Sequence, residues 1–149
     1  TLALALCQVD RADEALAVLD EVTRPVQYLL AVRALARAMT ADPAGSIADA
    51  QRVSADGASS YLDRAIADIA GAASHLQLGA DAAAVEMFGR ASAITAEAGD
   101  IIARELVALA RSVMLTEPHP AHVEHLGVGW RTVVDALQTV RAASPHGGH

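Results

Sequence analysis

The chain has no lysine, no asparagine and a single cysteine, and aromatic residues make up 3% of its 149 positions. Each scarcity excludes something. One thiol, Cys7, cannot close a disulfide within the chain, so a cysteine-stapled secreted scaffold is ruled out and a cytoplasmic setting is expected. With few aromatic and β-branched residues against a large share of Ala, the local preference is for helix over strand. No stretch approaches the ~20 apolar residues of a membrane span. The apolar opening, Thr1 to Cys7, lacks the basic flank of a signal peptide. Charge of one sign is also short. Eleven Arg stand against eighteen Asp and Glu, a net charge of −7, so nucleic acid is not an expected partner. The exclusive use of Arg is read as the codon bias of a GC-rich genome.

What is present is 53% hydrophobic residues, spaced by threes and fours almost from end to end. The pattern predicts about eight helices in antiparallel pairs. They cover residues 2–9, 12–22, 25–40, 46–54, a fifth opening after Ser60 and stopping at Gly79, 81–96, a seventh carrying Ile102, Leu106, Leu109 and Val113, and 130–143. Expected buried faces are Tyr28, Ala31, Val32, Leu35 and Met39 on the third helix, and Ile47, Ala50 and Val53 on the fourth. They are Leu62, Ile66, Ile69, Ala73 and Leu76 on the fifth, and Val85, Phe88 and Ala91 on the sixth. Pro25 is expected at a first helical position. Ser60 followed by Asp63 reads as an N-cap with a carboxylate near the helix start. Residues 116–129, with two prolines, three histidines and two glycines, are expected to form a long connection. Residues 1–143 are read as one domain, 144–149 as a flexible tail. Because the chain starts inside a helix, it is expected to be a piece of a longer protein.

The pairs resemble one another. Residues 30–39 are echoed by 63–73 and again by 106–114, and aligning Leu35, Ile69 and Leu109 gives steps of 34 and 40 residues, the range of bihelical solenoids. A lone helix pair cannot hide its apolar side. Stacked pairs can, with Ala letting the axes come close.

At these positions the chain resembles the tetratricopeptide repeat. Leu2, Ala3 and Leu6 stand at that motif's first-helix positions, and Ala15, Leu19 and Val22 follow its second-helix pattern. Gly79, Ala84, Phe88 and Ala91 fit the turn and second helix of a further unit, with Ala73 and Leu76 from its first. The departures are Asp10 at the usual turn glycine, a first helix one residue short in the third unit, an absent terminal proline, and a second unit that fits only in its first helix. Residues 22–25 followed by 31–39 also look like the Ala-rich helical repeats carried at the C-terminal end of large bacterial signalling ATPases and regulators. The resemblances, over residues 1–114, imply an α-solenoid whose concave face binds a protein or peptide. A sensor arm of a larger regulator is the alternative they imply.

Candidate chemistry is sparse, and no enzyme and no cofactor are expected. His119, His122 and His125, with Glu117 and Glu124, could ligate zinc, but their steps of three do not match the i, i+4 helical ligand pattern and Pro120 breaks the backbone between them. A metal-binding role for 117–125 is therefore a secondary reading. Cys7 is expected as a buried, inert thiol, His75 as a surface or core-edge residue, and His146 and His149 as part of the tail. Gly127 and Gly129 lack the strand and Lys of a phosphate loop. Trp130 is expected to cap the last helix. The partner-binding candidates are Arg33 with Arg37, four apart, and Arg104 with Arg111, seven apart, each pair on one helix face. First helices of such repeats line the concave side, which would let these guanidiniums grip carboxylates of a partner.

Overall fold

The computed structural model describes residues 2–115, and these form seven helices and no strand. They are α1 (Leu2–Gln8), α2 (Ala12–Asp20), α3 (Gln27–Met39), α4 (Pro43–Ala55), α5 (Tyr61–Gln77), α6 (Asp81–Glu97) and α7 (Ile101–Leu115). None is long and apolar enough to cross a membrane. The eighth expected helix, its Trp130, the tail and the histidine segment lie outside the described residues.

Local sequence sets the helix ends. Ser60 and Asp63 exchange bonds at the start of α5: the Asp63 N–H donates to Ser60 Oγ at 3.1 Å, and the Ser60 N–H donates to Asp63 Oδ2 at 2.8 Å. Asp42–Pro43 turns out to be a helix start and not mere punctuation. Asp42 accepts from the Gly45 N–H at 3.0 Å and Pro43 takes the first position, so α4 begins three residues before the expected Ser46. Pro25 does not open α3. Val26, extended at φ −71° and ψ 164°, is the N-cap, and Pro25 belongs to the preceding loop.

Four turns close in one way. Asp10, Ala41, Gly79 and Gly99 each adopt positive φ, between 58° and 74°. In each, the next N–H donates to a carbonyl five residues back, at 2.8 Å in Arg11→Leu6 and Ala80→His75, 2.9 Å in Asp42→Arg37 and 3.3 Å in Asp100→Thr95. Two of the four left-handed residues carry a Cβ that this conformation penalises.

Each helix packs on the next, and each odd-numbered helix also packs on the next odd one. α1, α3, α5 and α7 thus form one layer, with α2, α4 and α6 against it. Gln77, at the end of α5, donates to the carbonyl of Ala38, near the end of α3, at 2.7 Å, so these two helices run parallel. Among the described residues, 17 of the 30 buried core residues are Ala, so methyl groups supply much of the helix packing, with Leu, Val, Met and Phe side chains among them. At Gly71 of α5 even a methyl would run into the Met87 thioether of α6.

Ala41→Gly should raise stability by about 1 kcal/mol, since relief of the left-handed penalty exceeds the entropy Gly adds to the unfolded chain. Thermal unfolding of the variant checks this, with a midpoint a few degrees above the wild type expected.

Candidate interaction surface

Arg33 and Arg37 do not stand free. Arg33 donates through Nε and Nη2 to Oδ2 and Oδ1 of Asp49, at 2.7 and 2.8 Å, and Arg37 Nη1 donates to Asp49 Oδ2 at 2.9 Å. Asp49 is 2% exposed on α4, and its hydrogen bonds hold Arg33 above the ordinary guanidinium range. Both arginines therefore bind the even layer. A matching tie joins α5 to α6, where Arg90 Nη2 donates to Asp68 Oδ1 at 2.7 Å. Burial pushes the Asp68 carboxyl upward against the pull of Arg90. Where α5 and α7 begin, Tyr61 donates to Asp100 Oδ2 at 2.9 Å. Asp100 is kept below the usual carboxylate range by the Ala103 N–H and by Tyr61.

The starts of α3, α5 and α7 superpose in register. Val26, Ser60 and Asp100 precede the three helices, 34 and then 40 residues apart, the spacing at which the sequence repeats. In that register Tyr28, Leu62 and Ile102 share one position. Val32, Ile66 and Leu106 share the second, Leu35, Ile69 and Leu109 the third, and Met39, Ala73 and Val113 the fourth. These positions step by four, three and four residues, so on each helix they fall within about 60° of one another.

They form a ladder of apolar side chains with one rung per odd helix, and it is not fully covered. Ile102 is 68% exposed and Leu62 42%, Tyr28, Met39, Ile66, Ile69, Leu106 and Val113 are half-buried, and Val32, Leu35, Ala73 and Leu109 are buried. The first rung borders a hollow of about 420 Å³ between Tyr28 and the start of α5. The sequence marks most of these residues as interior because it reveals the apolar stripe and not what covers it. Similarly, Val85, expected inside α6, is 43% exposed, and Met87 and Phe88 fill the core there.

All four arginines named from the sequence lie across their helices from this ladder. At about 100° per residue, Arg33 and Arg37 fall about 140° and 180° from Tyr28, and Arg104 and Arg111 about 200° and 180° from Ile102. Arg104 is exposed and Arg111 half-buried. Exposed carboxylates also favour the even layer: Asp13, Glu14 and Asp20 on α2 and Asp81, Glu86 and Glu97 on α6, against Glu105 alone on the odd helices. The exposed carboxylates of the described helices thus gather on the even layer, which also carries the exposed Arg52 and Arg90.

Reaction chemistry is poorly represented. Cys7 is 1% exposed, and burial pushes its thiol up to about 11, far from the thiolate a nucleophile requires. His75, near the end of α5, is half-buried. Among the described residues no group of three His, Cys, Asp or Glu side chains is placed to hold a metal ion. His119, His122 and His125 are outside them. No protein-family model, curated protein or solved structure matches the chain.

Asp49→Ala should cost about 3 kcal/mol in urea denaturation, because it removes both bonds that Arg33 makes in the layer seam, while Arg37 keeps the Gly45 carbonyl and Asp42. Glu14→Ala, which breaks the solvent-exposed Arg11–Glu14 pair, should leave stability unchanged within error. Asp68 supplies a pH signature. Its folded value is raised above the unfolded value of ~3.9, so its contribution is greatest in acid and is lost as pH rises through the folded value. The stability of the wild type minus that of Asp68→Asn should therefore fall with rising pH across the upper carboxylate range. Parallel curves would contradict the assignment.

Proposed function

We propose that the chain is a tetratricopeptide-like solenoid of helix hairpins that binds a protein or peptide through its odd-helix layer, without catalysis or cofactor. The observation that carries this reading is the ladder: apolar side chains in register on α3, α5 and α7, open to water at Leu62 and Ile102 and half-buried at Tyr28, Ile66 and Leu106 beside them. Leaving Ile102 and Leu62 exposed forgoes roughly 25 cal/mol for every Å² of apolar surface not buried, a cost that a partner covering them would offset. Three further features support a repeat. They are the contact pattern of neighbours plus odd-with-odd helices, the shared left-handed turns at Asp10, Ala41 and Gly79, and helix starts at the spacing of the sequence repeat. The acidic even side favours solubility and discourages association through that face.

This reading moves the binding surface away from Arg33 and Arg37, whose charges are already engaged by Asp49. Recognition rests instead on apolar contact with the ladder.

A random linear-peptide display selection on the immobilised chain tests the proposal. Enriched peptides should be rich in aliphatic and aromatic residues and should bind Leu62→Glu/Ile102→Glu at least about tenfold more weakly. They should bind Val18→Glu, a substitution on the even layer, as well as wild type. Far-UV circular dichroism verifies that both variants keep their helices. A selection that yields nothing dependent on Leu62 and Ile102 retires the reading.

A further inference from the structure

We draw no further inference here: the strongest candidate, the odd-helix apolar face on which Leu62 and Ile102 stand exposed at matching positions of α5 and α7, belongs to the surface already described, and nothing in the structure shows what covers it.

Discussion

Close approach of helices through methyl groups is the constraint on which the rest depends. With Ala at 17 of the 30 buried core positions, small side chains let neighbouring helices approach, and branched residues such as Val32, Val53 and Val107 fill the places between. Each Ala also buries little apolar surface. The seams therefore gain stability from their number and from the good helix propensity of Ala, more than from any anchoring residue. Phe88 and Met114, both fully buried, are the largest exceptions, and both belong to the cluster around α5, α6 and α7.

Thin seams leave the relative height of two helices weakly specified, since one Ala packs on another nearly as well after a slip of one turn. The buried carboxylates remedy this. Asp49 gathers two guanidiniums from α3, and Asp68 meets Arg90 from α6, so a slip in either hairpin would strand charge in a seam. Measured against an apolar replacement such pairs contribute little net stability, but breaking one is costly.

How much of this is legible in the sequence differs by element. Helical period, the Ser60–Asp63 cap and the steps of 34 and 40 residues are local or repeated features, and a linear reading finds them. Asp49 was harder. The fourth helix reads as a weak apolar face of Ile47, Ala50 and Val53, whereas the buried positions are Ser46, Asp49, Ala50 and Val53, a clean i, i+3, i+4, i+7 set with a carboxylate in it. A usable signal existed in the turns. Around Ala41, Arg33 stands eight residues before and Asp49 eight after. Around Gly79, Asp68 and Arg90 are each eleven away. In an antiparallel hairpin, residues equidistant from the turn face each other, so opposite charges at equal distances mark a tie between the two helices. The direction of the arginines could not be read without knowing which side of each odd helix meets the even layer. Spacing of four or seven shows that two residues share a face and is silent about which face.

The same division explains why the ladder escaped a linear reading. Large aliphatic residues on a regular stripe ordinarily mean interior, and on α3 that holds for Val32 and Leu35. At the first shared position coverage falls from half-buried Tyr28 through Leu62 to Ile102, which is more than two-thirds exposed, while Ala73 and Leu109 further along stay buried. The stripe is one pattern in all three helices, yet the Ala-lined seams already bury the sides on which each helix meets its neighbours. Of the stripe, Leu62 and Ile102 are left exposed, at the matching position of two odd helices. A core rich in its smallest apolar residue still takes in Phe88 and Met114, and leaves Leu62 and Ile102 outside.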